Sequence, residues 1–594
     1  MKQFLLTMAG VFAGLVLFFV GVPVLLIGVV ASAAKPTATP DHAVLSLDLR
    51  AGMTDLPPQA LIPGFGARTL SVMTVIDTLH RAQSDNRVRA LFVRLPEGGI
   101  EPGEADELRA AFKHFRDAGK TIIVHSQGLY PAGSIASTYM LGTSADQLWM
   151  QPGAPFQVTG MANSDVFFKR FFDKYGIKAD YEQRYQYKNA VNGYLFDDYT
   201  KDHKEAELGW MGSIYQSATD AAAAERKQSP ATLRATLEAG PYDAADAKAK
   251  GLIDKIGQVG EAQAAALDQG GDGAKLVDFD DYAASAKSDD ANSSDPVIAV
   301  VGAEGAIMTG PADSSIGGSN NANSDAVAGA LDAAAKDGSV KAIVFRISSP
   351  GGSDTASEQI LAAVKAARAV KPVVVSMGTY GASGGYWIAS QANEIVAEPT
   401  TLTGSIGVYG GKLALGEALG RFGIDLRDLS VGGEYADADS PGQEFTPQQR
   451  KHFSDDIDRV YQNFVTRVAE GRHLTPDQVG EIAKGRVWTG VQAKERHLID
   501  SLGGFYTAVE RAKALSGLSG QAVRLKTVTA RHSPLESLEK ALGLDSSSIK
   551  GLSLAAGVLA DPKAQAALGQ LSDARLRAQG ADVLAPVPQF ETGR

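Results

Sequence analysis

DGSVKAIVFRISSPGG, residues 337–352, repeats in outline a stretch met earlier in the chain, DNRVRALFVRLPEGG, residues 85–99. In both, a polar turn leads into a short apolar run that ends on a glycine pair. The likeness continues downstream. YMLGTSADQLWMQPGAP from Tyr139 parallels YWIASQANEIVAEPTTL from Tyr386, an offset of 386 − 139 = 247. The same offset relates KYGIKAD around Gly176 to RFGIDLR around Gly423. GPYDAADAKAKGLIDKIG (240–257) echoes GRVWTGVQAKERHLIDSLGG (485–504). Four landmarks in the same order, at nearly constant spacing, indicate one domain written twice, each copy too long for a solenoid repeat. A length of 594 residues agrees, since single cores rarely grow past about 250–300 residues.

Within each copy, apolar runs such as ALFVRL, TIIVHS, AIVFRI and PVVVS alternate with helical patterns such as EADELRAAFKHFRDAG and ASEQILAAVKAARAV. Strands alternating with helices predict an α/β fold with parallel sheets built from βαβ units. The polar, aperiodic SAKSDDANSSDP (285–296) marks the boundary between copies, and SSIGGSNNANS (314–324) reads as an exposed loop. The expected divisions are an anchor at 1–35, a first copy at 36–290, a second at 291–520 and an appendage at 521–594. The appendage is rich in Ala, Gly and Ser and has no counterpart in the first copy.

From Gln3 to Ala34 no residue is charged. That run exceeds the roughly 7–15 apolar residues of a cleaved signal and meets the roughly 20 needed to span a bilayer, so an uncleaved transmembrane helix is expected. Lys2 marks one flank, Lys35 and Arg50 the other. A net charge of -11 argues against nucleic acid as a partner. The absence of cysteine removes disulfides, thiol catalysis and thiolate metal sites together.

The chemistry centres on Gly381-Ala382-Ser383-Gly384-Gly385, a G-x-S-x-G pattern directly after a predicted strand. Such a turn exposes a serine hydroxyl, although glycines there also serve plain packing. SSPGGSD (348–354) likewise follows a predicted strand, and its glycines leave backbone N–H groups free for a developing oxyanion. The first copy keeps Gly98 and Gly99, but the offset carries Ser383 onto Ala136 (383 − 247 = 136), so it lacks the hydroxyl. The serine needs a neutral base. His452, His473, His497 and His532 lie downstream in polar helical or surface contexts, none after a clear strand. A lysine would serve if an apolar site lowered its pKa by about three units, and composition singles out none.

RISSPGGSDTASEQI, GTYGASGGYWIAS, TTLTGSIGVYG and GRVWTGVQAKERHLIDSLGG resemble the serine–lysine peptidases of the signal peptide peptidase A family, and the tandem copies resemble its long, duplicated form. The resemblance covers roughly residues 1–520. It implies tandem domains of the Clp protease and crotonase fold, with Ser383 as nucleophile and Lys188, in YQYKNAVNGY of the first copy, as base. Aligning Tyr187 with Tyr435 puts Lys188 opposite Ala436, so each copy lacks what the other holds. The resemblance further implies that Ser405 orients the lysine, that Gly352 and Gly384 form the oxyanion hole, and that Gly351 shapes the approach. It implies a homotetramer that degrades cleaved signal peptides and other apolar peptides. It places the chain in the bacterial inner membrane, with one span and its catalytic domains on the periplasmic side, and requires no metal or organic cofactor. Arg184, Tyr185, Tyr187 and Asn189 are polar for a dry lysine site, which leaves its desolvation open. Two other readings stand beside this one: a crotonase-like acyl-CoA enzyme, which would need a basic patch for CoA phosphates, and a non-catalytic membrane scaffold or secretion factor.

Overall fold

The apolar runs of the first copy fold as β1 (Ala43–Asp48), β2 (Val88–Arg94), β3 (Thr121–Ser126) and β4 (Gln147–Met150). Next come β5 (Lys178–Arg184), which leaves the sheet, then β6 (Lys255–Ile256) and β7 (Lys275–Asp278). The sheet order is β6-β4-β3-β2-β1-β7, parallel throughout. The computed structural model describes residues 38–57, 70–286, 294–311 and 321–529. The expected anchor at 1–35, most of 285–296 and 314–324, and the appendage beyond 529 lie outside the described residues.

The second copy supplies β8 (Val297–Glu304), β9 (Val340–Ser349), β10 (Val373–Ala382), β11 (Glu394–Ala397) and β12 (Leu402–Gly404). It continues with β13 (Val408–Ala414), which leaves the sheet, β14 (Val487–Thr489), β15 (Ser501–Leu502) and β16 (Arg524–Thr527). The path β15-β11-β10-β9-β8-β16 reproduces the first sheet strand for strand, again all parallel. Tyr139 donates to the carbonyl of Leu252 and Tyr386 to that of Leu498, the same bond made twice. One boundary needs correction. β16 is the counterpart of β7, at an offset of 524 − 275 = 249, so the second sheet takes in residues that the sequence reading gave to the appendage.

β10 is longer than its counterpart β3. Its first half pairs β11 through Val374–Met377; its second half pairs β12 through Tyr380–Ala382, and β12 runs antiparallel to β14. This extension carries the chain to Ser383. Along β9, Ile343, Phe345 and Ile347 enter one apolar cluster while Ala342 and Val344 enter another. Burial on both faces explains why the strand reads as an unbroken apolar run.

Several contacts join the copies. The cluster holding Ala342 and Val344 also takes in Leu45, Leu91 and Val93 of the first copy. Arg346 of β9, 1% exposed, pairs with Asp55 at 2.6 Å and with Glu107 of helix α1 (Pro102–Asp117) at 2.9 Å, both from the first copy. A buried pair of this kind specifies the fit more than it stabilises it, because desolvation offsets most of the attraction. β5 and β13 also form an antiparallel ribbon, from Lys178 opposite Ala414 to Arg184 opposite Val408. Helix α2 (Lys201–Glu225), from the first copy, packs Trp210, Met211 and Ile214 against Ala382 and Leu402. Helices α3 (Asp354–Arg368) and α4 (Gly384–Ala389) follow β9 and β10.

Candidate active site

Ser383 sits between β10 and α4 with φ 52° and ψ −120°. A non-glycine residue with positive φ stores roughly 1–3 kcal/mol of strain and persists only where its surroundings hold it. Here the Ser383 amide donates to the carbonyl of Gly404 at 2.9 Å, and Trp387 donates to the carbonyl of Ser383 at 2.9 Å. The strand-to-helix turn read from the sequence is present, but it leaves Ser383 only 6% exposed rather than open to solvent.

The ribbon brings the lysine to it. Lys188 lies four residues past the end of β5, and Ser405 lies three before the start of β13. Lys188 Nζ is 3.0 Å from Ser383 Oγ, 3.0 Å from Ser405 Oγ and 3.1 Å from the Ser405 carbonyl oxygen. A neutral amine fits these three partners. Its two N–H groups donate to the Ser405 oxygens, and its lone pair accepts from the Ser383 hydroxyl. Lys188 is 2% exposed and, among the described residues, pairs with no carboxylate. Burial alone pushes its amine down from 10.5 to about 7.

The polar neighbours of Lys188 turn elsewhere. Arg184 reaches Ser454 at 2.7 Å and Asp458, Tyr185 stacks edge-on against Tyr461, and the Tyr187 ring lies under the Arg486 guanidinium. The backbone of Gly485 packs directly against that of Lys188. A Cβ on Gly485 would stand 2.6 Å from both the Cβ and the amide nitrogen of Lys188, and its φ of +83° disfavours any side chain. Gly485→Ala is expected to displace Lys188 and lower kcat about 100-fold, the scale of a misplacement near 1 Å. Steady-state kinetics with a peptide substrate, alongside a thermal melt that reports folding, measures it.

Gly351 and Gly352 cross beside the serine. A Cβ on Gly351, at φ +112°, would sit 2.7 Å from Ser383 Cβ and 2.8 Å from the Gly384 amide. Bonds from Ile307 to the Gly351 carbonyl and from Ser353 to the Ile307 carbonyl, both 2.9 Å, pin the loop. The Gly384 amide opens α4, where N–H groups have no partner within the helix. Gly352 and Gly384 both line one cleft with Ser383 and Lys188. The first copy differs at the equivalent place. Ala136 replaces the serine, and the Gly99 amide donates to the Ala132 carbonyl at 2.8 Å. Ala436, opposite Lys188 in the alignment, is exposed.

The cleft is narrow, with about 20 Å³ of space accessible to water. Its apolar walls are Trp387 of α4, Val408, Tyr409, and Val460 and Phe464 of helix α5 (Pro447–Arg472). Sequence reasoning named none of these. Trp387 lies four residues past Ser383, on one helical face with it, a signal that was available. Val460 and Phe464 carry only the period of an amphipathic helix and nothing that ties them to the serine.

Comparison with known proteins bears on the whole chain. The model of "Peptidase family S49" matches residues 114–271 and 365–519, one stretch in each copy. "Protease 4" of Salmonella typhi is 33% identical over 463 residues, covering 75% of this chain and 72% of that one. "Protease 4" of Haemophilus influenzae is 30% identical over 542 residues, covering 86% and 84%. "Serine protease SPPA, chloroplastic" of Arabidopsis thaliana is 27% identical over 479 residues, covering 79% and 69%.

Proposed function

This chain belongs to peptidase family S49 and is a serine protease, and from that premise we propose that its two copies share one catalytic pair, Ser383 with Lys188. The observation that carries the reading is the 3.0 Å separation of Lys188 Nζ from Ser383 Oγ at a buried, strained serine. Neutral Lys188 takes the serine proton as Oγ attacks a peptide carbonyl. Gly352 and Gly384 N–H groups receive the oxyanion. The ammonium then protonates the departing amine, leaving an acyl-enzyme, and water activated by the same amine releases the acyl product. Ser405 positions the amine throughout. The 36–290 copy supplies the lysine and the copy beginning at 291 the serine.

The apolar walls of the cleft favour extended apolar peptides, and the proposed substrates are cleaved signal peptides. Among the described residues no helix is long and apolar enough to cross a membrane. Anchoring through residues 1–35 in the bacterial inner membrane, with the catalytic copies on the periplasmic side and a homotetrameric assembly, belongs to the same proposal and rests on the resemblance and the uncharged run from Gln3 to Ala34.

The test is a pH profile combined with labelling. A serine-directed fluorophosphonate is expected to label Ser383, located by peptide mapping. Because the base works only when uncharged, labelling rate and kcat/KM should rise about tenfold per pH unit below 7 and level off above it, following the Lys188 pKa of about 7. A label on another residue, or a rate still climbing towards pH 10, overturns the assignment. A scaffold would take no label at any pH.

A further inference from the structure

Asp354 lines the same cleft, two residues beyond Gly352. With Lys188 neutral it is, among the described residues, the only charged side chain on an otherwise mostly apolar wall. It opens helix α3 after the cap Ser353, and among the described residues no cation pairs with it; its recorded side-chain partner is the Thr355 hydroxyl at 3.3 Å. One turn along the helix, Glu358 is by contrast fully engaged, accepting from Trp387 Nε1 at 3.0 Å and pairing with Arg467 at 2.8 Å. That bracing fixes the Trp387 indole as a wall of the cleft. A first-turn acid complements a helix dipole wherever it points; Asp354 adds to this a place on the cleft wall beside the proposed oxyanion site.

We propose that Asp354 makes the cleft select a basic side chain, lysine or arginine, on the acyl side of the scissile bond. This rests on the function proposed above and names a substrate class for it. The chemistry suits a long basic residue twice over. Its methylene stem matches the apolar walls of Trp387, Val460 and Phe464, while its cationic head reaches the carboxylate. The charge also acts on the reaction. A carboxylate lining the same cleft as the Gly352 and Gly384 amides opposes negative charge building on the carbonyl oxygen. A substrate cation cancels that opposition, so the preference strengthens as the oxyanion forms and enters kcat as well as KM.

The experiment uses the full chain and one peptide scaffold, with Arg, norleucine or Glu at each of the three acyl-side positions in turn. At one position Arg should exceed norleucine in kcat/KM by roughly tenfold or more, with Glu poorest. Asp354→Asn should bring the Arg-to-norleucine ratio close to one, and Asp354→Lys should turn the ranking towards Glu. The same peptides, fluorescently tagged, are bound to Ser383→Ala and to Ser383→Ala/Asp354→Asn and followed by anisotropy. If no peptide is cut yet Arg still binds tighter in an Asp354-dependent way, the catalytic reading fails and this one stands. A flat ranking at all three positions, or one that survives Asp354→Asn, overturns the proposal. Equal loss of every peptide in the Asp354 variants overturns it too, since that marks a role in folding alone.

Discussion

Ser383→Ala and Lys188→Met are each expected to lower kcat for peptide hydrolysis by about ten-thousand- to million-fold, with the double variant no worse than the poorer single one. The reason is that in the proposed mechanism the two side chains act as a unit. A hydroxyl without its base is a weak nucleophile, and an amine without the hydroxyl has nothing to activate. What should survive is the contribution of the proposed oxyanion donors, the Gly352 and Gly384 amides, and of substrate positioning. Single-turnover kinetics on the three proteins checks this. Additive losses would mean that serine and lysine work separately and would defeat the shared site. The result also bears on the duplication, because the substituted residues lie 195 positions apart, in different copies.

Lys188→Met, while inactive, is expected to fold more stably than the parent at neutral pH. Holding the amine at about 7 rather than 10.5 costs about 5 kcal/mol at 1.36 kcal/mol per pH unit. Methionine matches the length of the lysine stem and needs no deprotonation. Part of the gain is lost because the Ser405 carbonyl and hydroxyl forfeit a partner, at about 1–3 kcal/mol for a buried group left unsatisfied. A net gain of about 2 kcal/mol remains. Its pH dependence has a definite sign. The lysine pKa is depressed in the folded state, so the unfolded chain binds the extra proton between pH 7 and 10.5, and the stability of the parent rises across that window. The advantage of methionine is therefore full below pH 7 and fades towards pH 10.5. Urea unfolding at pH 6, 8 and 10 measures it. An advantage that grew with pH would contradict the desolvated lysine.

Much of this architecture was legible in the chain, and the limits have physical causes. The Tyr139 and Tyr386 motifs survived duplication because each hydroxyl satisfies a buried carbonyl, so both copies keep the residue. β7 and β16 kept only their place. KLVD and RLKT share little, since partly exposed edge strands tolerate change, and residues beyond 520 read as appendage for that reason. The serine could be read from its turn. The lysine could not be found by composition, and its place came from a family likeness together with the complementary gaps at Ala136 and Ala436. Its burial was hidden. Arg184, Tyr185 and Tyr187 suggested a wet site, but each turns towards other partners, and a glycine nearly 300 positions away packs against the lysine's backbone. The wall residues Val460 and Phe464 were hidden likewise, because an amphipathic helix does not announce which of its buried residues border a cavity.

The ribbon of β5 with β13 has a genetic corollary. Neither half of the gene can be deleted, exchanged or transcribed by itself without carrying off one member of the proposed pair, so the ancestral doubling is locked into a single reading frame. Selection then sees both halves through one phenotype, and drift in either is answerable to the other.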